Sequence, residues 1–164
     1  MMDFAPDLQA IYSKYEPEIG RLKQMLWNMH SVSNVRYVYS YLRSLEPEIT
    51  HEFIMLSEAL TTSLVIGYGR LFTKTNGTSK LNANLVPEHL RPIHNEIMSL
   101  RHERYAHHGA HESLETKVDI QSTHDCLVVM PELNLKICLG APKEWEPLFQ
   151  WIDELMYEES KKQL

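Results

Sequence analysis

Cysteine and long apolar runs are scarce in this sequence, and each scarcity excludes a class of protein. Only 2 of the 164 residues are cysteines, Cys126 and Cys138, so a disulfide framework is excluded and both thiols are expected to be reduced. No run of about 18 apolar residues exists to cross a membrane. The N-terminal residues MMDFAPDLQA lack the basic segment and apolar core of a secretory signal, which favours a cytoplasmic protein without a membrane partner.

An excess of positive charge is also missing. The 16 Lys and Arg residues are outnumbered by 22 Asp and Glu residues, which gives a net charge of −6. Such a protein is not coated with the basic residues of a general nucleic-acid binder, so any contact with nucleic acid must be local. The length and the hydrophobic content of 43% suit one domain spanning residues 1–164.

Apolar residues recur at helical spacing along most of the chain. A heptad-like seam near the N-terminus predicts a helix that packs along much of its length, kinked or divided at Pro17. Ser31 or Ser33 is expected to cap the next helix, while Pro47 and Pro142 are expected to open two later ones. The helix after Pro47 is expected to bury an apolar stripe that starts at Ile49. The apolar face predicted for the last helix consists of Trp145, Leu148, Phe149, Ile152, Leu155 and Met156. The N-terminal seam consists of Leu8, Tyr12, Tyr15, Ile19, Leu22, Leu26 and Met29.

Two segments depart from the helical pattern. Residues 73–86 are rich in Asn, Ser and Thr and predict a loop. Residues 115–140 predict a small antiparallel β-hairpin or three-stranded flap before the C-terminal helix, because short runs rich in Val, Ile and Leu are separated by turn residues. These runs are Lys117–Ile120, Cys126–Val129 and Leu135–Leu139. The fold class predicted from the whole pattern is therefore mainly α with a β-flap.

Gly67 and Gly69 lie inside a predicted helix, where each costs about 1 kcal/mol relative to alanine. Something in the fold is expected to offset this cost. The close approach of a neighbouring helix is the favoured explanation. The alternative is a site that needs room beside Arg70.

The stretch 87–111 is the part of the chain whose pattern points to function. It predicts a helix that starts at Pro87 or restarts at Pro92. Its apolar seam, formed by Leu90, Ile93, Ile97 and Leu100, continues at the same spacing with Arg104, His107 and His111. The adjoining row consists of His94, Arg101 and His108. A helix face that changes from apolar to charged breaks the binary pattern, and such breaks commonly mark functional sites.

An arginine close to a histidine is the pair of groups needed to act on a phosphodiester. An imidazole can take the proton of a ribose 2′-hydroxyl or return one to the leaving oxygen. A guanidinium can stabilise the charge that develops on the phosphoryl group. This chemistry requires no metal and no cofactor. Neither a Walker lysine loop nor a GxGxxG turn is present to suggest a nucleotide hydrolase or a dinucleotide enzyme.

The sequence from Arg101 and His102 to Tyr105-Ala106-His107 resembles the motif of the HEPN (higher eukaryotes and prokaryotes nucleotide-binding) superfamily, an arginine followed after four to six residues by a histidine. The upstream GYGRLF helix, the Asn-rich loop and the helix bearing LRHERYAHH are most similar to the abortive-infection U-type branch. The likeness covers the organisation of residues 46–108.

The resemblance implies an up-and-down helical bundle and a homodimer in which the motif helices of two copies form one cleft. Members of the active kind are metal-independent endoribonucleases, often toxins or antiphage effectors held by an antitoxin partner. Arg101 would stabilise phosphate, His107 would act as general base or acid, and His102 would fill the polar position after the arginine. Other members only bind RNA or nucleotides or serve as interaction modules. Because His108 and Gly109 follow His107 here, control through a modified tyrosine is not expected.

Other interpretations of the same residues stay open. His107 could be a structural histidine bonded to Glu96, Glu103 or a carbonyl, and Arg70 could be a salt-bridge partner or a phosphate contact. His107 and His111 are four residues apart, as two metal ligands on one helix face would be, yet neither HExxH nor a CxxC pair accompanies them. No metal ligands are therefore predicted, and a His-rich metal-binding protein is kept as the third hypothesis. The expected supporting or RNA-binding residues are His102, Arg104, His108, Glu96 and Arg70.

Overall fold

The computed structural model describes residues 6–73, 80–105, 114–122, 126–135 and 140–162. These residues form a helical bundle and a two-stranded antiparallel sheet, which confirms the predicted mainly α class with a hairpin before the C-terminal helix. The helices are α1 (Pro6–Ser44), α2 (His51–Phe72), α3 (Arg91–Ser99) and α4 (Glu146–Lys161), and the strands are β1 (Leu114–Ser122) and β2 (Leu127–Leu135).

Helix α1 runs through Pro17 without interruption and has 39 residues, so it is about 58 Å long. The prediction of a new helix capped by Ser31 or Ser33 is wrong. Ser31 Oγ donates instead to the carbonyl of Trp27, four residues earlier, at 2.9 Å, and thus bonds within the helix.

Helix α2 begins four residues later than the Pro47 signal indicated. Thr50 is its N-cap, and the Thr50 Oγ1 accepts a hydrogen bond from the Phe53 amide at 3.1 Å. The threonine side chain satisfies an amide that the helix leaves unpaired, which a proline cannot do. Ile49, predicted to be part of the buried stripe, is fully exposed in consequence.

The core lies among the C-terminal half of α1 and helices α2, α3 and α4. Phe149 of α4 is its centre, since its ring packs edge-on against Tyr39 of α1, Tyr68 of α2 and Trp145. Each fully buried large apolar side chain contributes roughly 1.5–3 kcal/mol to stability. The apolar face predicted for the last helix is confirmed by the burial of Trp145, Leu148, Phe149, Ile152 and Met156.

The segment entering α3 combines both predicted starts. A 3₁₀ turn over Glu88–Leu90 follows Pro87, and α3 then begins at Arg91 with Pro92 in its first turn, where a missing amide hydrogen costs nothing. After Ser99 the backbone changes to a π-helical turn over Leu100–Tyr105. This turn was not predicted.

The two strands form the antiparallel hairpin that was one of the two predicted arrangements, but their bounds differ from the predicted runs. Strand β2 passes straight through Pro131, which pairs with Val118 of β1, so the predicted break after Val129 is wrong. In a two-stranded sheet the outer edge of each strand needs no partner, which is where a proline is tolerated. The predicted third run, Leu135–Leu139, lies mostly outside the described residues. Within residues 6–73, 80–105 and 140–162, no helix combines the length and apolar content needed to span a bilayer.

Candidate functional site

The π-helical turn brings two arginines of the central stretch against helix α2. Hydrogen bonds in such a turn reach back five residues instead of four, and turns of this kind are rare and frequent at functional sites. Arg101 lies against Gly69 near the end of α2, while Arg104 reaches Glu58 in the middle of α2. We refer to Arg101, Arg104, Glu58 and Gly69 as the arginine site.

Arg101 occupies a notch that exists because residue 69 has no side chain. A Cβ on Gly69 would overlap the Arg101 Cδ and lie 2.8 Å from its Nε. The Arg101 Nε is buried and has no hydrogen-bond partner among the described residues. The Nη1 lies 3.2 Å from His102 Nδ1, and since arginine only donates, this ring nitrogen is the acceptor of the hydrogen bond. A guanidinium and an imidazole are therefore in direct contact.

Arg104 is held inside the bundle by an ion pair. Its Nη2 lies 2.8 Å from Glu58 Oε1, and the side chains of Arg104 and Glu58 are 5% and 29% exposed. The guanidinium carbon also lies 5.2 Å from the centre of the Tyr105 ring, a favourable cation–π distance. A buried charge must be paired to be tolerated. The polar residue predicted on the apolar seam is thus explained by a carboxylate on the neighbouring helix.

A second polar pair is buried between α2 and α3. The Tyr68 hydroxyl and His94 Nδ1 are 2.7 Å apart, and the His94 ring packs edge-on against Phe72 at 4.6 Å. Burial lowers the pKa of His94 and raises the pKa of Tyr68, because both charged forms would be poorly solvated. Both groups are therefore neutral at pH 7, and the pair joins α2 to α3 as part of the core.

Arg70 points to a different surface from Arg101. It is exposed and lies at one end of a groove between α1 and α2 with a volume of about 380 Å³, and it also borders a neighbouring cavity of about 460 Å³. His30 Nε2 and Asn34 Nδ2 are hydrogen-bonded at 3.2 Å on its α1 side. The two cavities share Ser31, Asn34 and Arg70, and no carboxylate among the described residues lines either of them. The polar and aromatic side chains that line one or both include Trp27, His30, Ser31, Asn34, Thr62, Ser63 and Arg70. We refer to these residues as the α1–α2 groove.

The two glycines of α2 have different neighbours. A Cβ on Gly67 would come within 3.3 Å of Val35 Cγ2 on α1, so close helix packing, the favoured explanation, holds for this residue. Gly69 instead makes room for a side chain of the candidate motif. The alternative explanation was a site that needs room beside Arg70. The room at Gly69 is used by Arg101 instead of Arg70.

Several residues of the predicted site cannot be placed beside Arg101. His107, His108 and His111 lie outside the described residues, as does Gly109. Glu96 is exposed on α3.

Sequence reasoning missed Glu58 and Tyr68 as polar partners of the central stretch. Helix α2 contains only two carboxylates, Glu52 in its first turn and Glu58 in its middle. An arginine buried opposite the middle of α2 therefore had one candidate carboxylate on that helix. The scarcity of carboxylates in α2 was the signal that could have identified Glu58. No comparable signal connected Tyr68 with His94.

No group of three or more His, Cys, Asp or Glu side chains that could hold a metal occurs among the described residues. The comparison of this chain with known protein families, with curated proteins and with solved structures finds no match. The chemistry of the arginine site and of the α1–α2 groove therefore carries the functional argument.

Proposed function

We propose that this protein is a metal-independent endoribonuclease of the HEPN kind, in which Arg101 binds the scissile phosphate and His107 acts as general base or acid. The toxin or antiphage role, the cleft shared by two copies and the restraining antitoxin partner belong to the same proposal. The observation that carries it is the Arg101 side chain, held in the Gly69 notch with a guanidinium that has no carboxylate partner among the described residues.

The physical support is the difference between the two arginines. The charge of Arg104 is compensated by Glu58, whereas the guanidinium of Arg101 contacts the ring of His102 and no described carboxylate. An uncompensated guanidinium favours an anionic ligand, and a phosphate accepts two parallel N–H bonds from it. His102 adds an imidazole at the same point, so it is a second candidate for proton transfer next to His107.

The test is RNA cleavage in EDTA by the wild-type chain and by variants purified in parallel. The reaction is expected to leave 2′,3′-cyclic phosphate ends, since the 2′-hydroxyl is the nucleophile. His107→Ala is expected to lower the rate by about 10²–10⁴, and Arg101→Ala by about 10²–10³. His89→Ala is the matched control, because His89 is an exposed histidine in the turn before α3, and it is expected to keep the wild-type rate. A wild-type rate for His107→Ala contradicts the assignment.

The α1–α2 groove favours a second candidate, an RNA- or nucleotide-binding module without turnover. In a chain of net charge −6, a groove containing Arg70 and His30 and no described carboxylate is a local exception that attracts anions. The exposed indole of Trp27 offers a surface on which a base can stack. This candidate predicts saturable binding of a labelled single-stranded RNA, weakened by salt and by Arg70→Glu, with no cleaved product. Product that accumulates in EDTA and disappears in His107→Ala contradicts it.

A further inference from the structure

The N-terminal half of α1 carries an apolar seam that the described part of the bundle leaves uncovered. Tyr15, Leu22 and Leu26 are 49%, 45% and 55% exposed, and none of them belongs to the hydrophobic core. The seam from Tyr12 to Leu26 is about 21 Å long. Single exposed apolar residues are ordinary, but a continuous stripe of them marks an interaction surface.

The seam faces away from the bundle because the two halves of α1 use different faces. In the C-terminal half, the buried positions are Asn28, Val32, Val35, Tyr39 and Leu42. These residues repeat at alternating steps of four and three, as the N-terminal seam does. Continued past Leu26, the seam would reach Met29, which is one residue after the buried Asn28. One residue corresponds to a rotation of about 100° around a helix. An element that packs straight along the buried face of the C-terminal half would therefore not cover the seam.

This half of α1 also has weak support of its own. Pro17 removes a hydrogen bond from the helix interior. Gly20 is a poor helix former, and a Cβ added there would meet no other part of the described structure within 4 Å. Most helical stability in proteins comes from the packing of an apolar face and not from helix propensity alone. A packing partner on the seam supplies the missing stabilisation.

We propose that this seam, formed by Tyr12, Tyr15, Ile19, Leu22 and Leu26, packs against the same seam of a second copy of this chain in an antiparallel coiled coil. The spacing of four and three residues is that of heptad positions a and d, which pair with each other. The outer positions of the same heptads are polar or small, and Pro17 and Gly20 are among them. The proline ring is thus on the side that the second helix does not touch.

The charges beside the seam favour a second copy over an unrelated partner. Glu16 and Lys23 are both exposed, and both occupy heptad position e, next to the seam. If Ile19 lies opposite Leu22 of the second copy, an antiparallel pair brings Glu16 close to Lys23 of the second copy, and the reverse contact follows by symmetry. A parallel pair would not bring these two residues together. The surface is therefore complementary to itself, and this interface depends neither on the motif helix nor on the proposed function.

The first experiment measures mass by sedimentation velocity over a concentration series. The wild-type chain is expected to have at least twice the mass of the 19.2 kDa chain, and Leu22→Glu is expected to halve it by burying an unpaired charge in the seam. Ser13→Glu, on the outer face of the same helix, is the matched control and is expected to keep the wild-type mass. A monomeric wild type, or a Leu22→Glu variant of wild-type mass, overturns the proposal.

The second experiment uses charge reversal, which leaves the apolar seam and the folding of the bundle unchanged. Glu16→Lys and Lys23→Glu are each expected to weaken association by about tenfold, because two attractive contacts become repulsive. The double variant restores both contacts and is expected to associate as the wild type does. A double variant that is as weak as the single ones, or single variants that associate normally, overturns the antiparallel pairing.

Discussion

Replacing Gly69 with alanine tests the arginine site without any assumption about a ligand. In an ordinary helix interior this change stabilises the protein by about 1 kcal/mol. Here the new methyl group would overlap Arg101 Cδ and crowd Nε and Cγ. Arg101 must leave its rotamer, at a cost of about 0.5–1.5 kcal/mol. The two effects oppose each other, so Gly69→Ala is expected to change the free energy of unfolding by less than about 0.5 kcal/mol.

The clash can be isolated with a double-mutant cycle. In an Arg101→Ala background the crowded atoms are gone, and Gly69→Ala is expected to yield the full stabilisation of about 1 kcal/mol. The difference between the two backgrounds is the energy of the contact, expected at about 0.5–1.5 kcal/mol. Urea unfolding followed by helical circular dichroism measures all four proteins.

Gly20→Ala provides the control, because nothing lies within 4 Å of its added Cβ. It is expected to have the same effect in the wild-type chain and in the Arg101→Ala background. If Gly69→Ala stabilises both backgrounds equally, then Arg101 does not occupy the notch in solution, and the argument for an arginine positioned by Gly69 fails. If the notch positions a functional arginine, Gly69→Ala also lowers RNA cleavage or binding towards the level of Arg101→Ala.

Two further predictions concern the buried polar pairs. Glu58→Gln removes the charge opposite buried Arg104 and is expected to lower the free energy of unfolding by about 1–3 kcal/mol. The control, Glu18→Gln, changes an exposed pair and is expected to lower it by at most about 1 kcal/mol. Equal losses in urea unfolding would contradict the burial of the Arg104–Glu58 pair. Because burial lowers the folded pKa of His94, the unfolded chain takes up its proton first, and the stability contributed by the neutral Tyr68–His94 pair is lost as the pH falls below about 6.5. His94→Gln is expected to remove this part of the pH dependence, and an unchanged pH profile would refute it.

The sequence predicted the elements of the fold better than their ends. Apolar periodicity correctly indicated the buried faces of α3 and α4, because a periodic face records burial directly. The start of α2 was misplaced since Pro47 and Thr50 are both strong start signals, and only the threonine can bond an unpaired amide. The split in α1 was predicted from Pro17 and Ser31. Ser31 lies in the packed C-terminal half of the helix and bonds the Trp27 carbonyl within it, so it does not act as a cap.

The candidate site depends on contacts that no local pattern contains. Spacing alone correctly suggested that Arg104 continues the apolar seam, but its partner Glu58 lies 46 residues away in the chain. The π-helical turn is equally hard to predict, because such turns are rare and occur mostly as single turns within α-helices.

The two arginines of the LRHERY segment look equivalent in the sequence, and the fold makes them different. Arg104 is buried against a carboxylate, so its charge is compensated and it contributes to the stability of the α2–π-turn contact. Arg101 lies three residues earlier on a turn whose geometry directs it to Gly69, where its Nε has no partner among the described residues. An anion that approaches this surface is therefore attracted by Arg101 and not by Arg104. If so, Arg101→Lys, which keeps the charge but loses the planar fork of donors, should weaken anion binding, while Arg104→Lys should mainly lower stability.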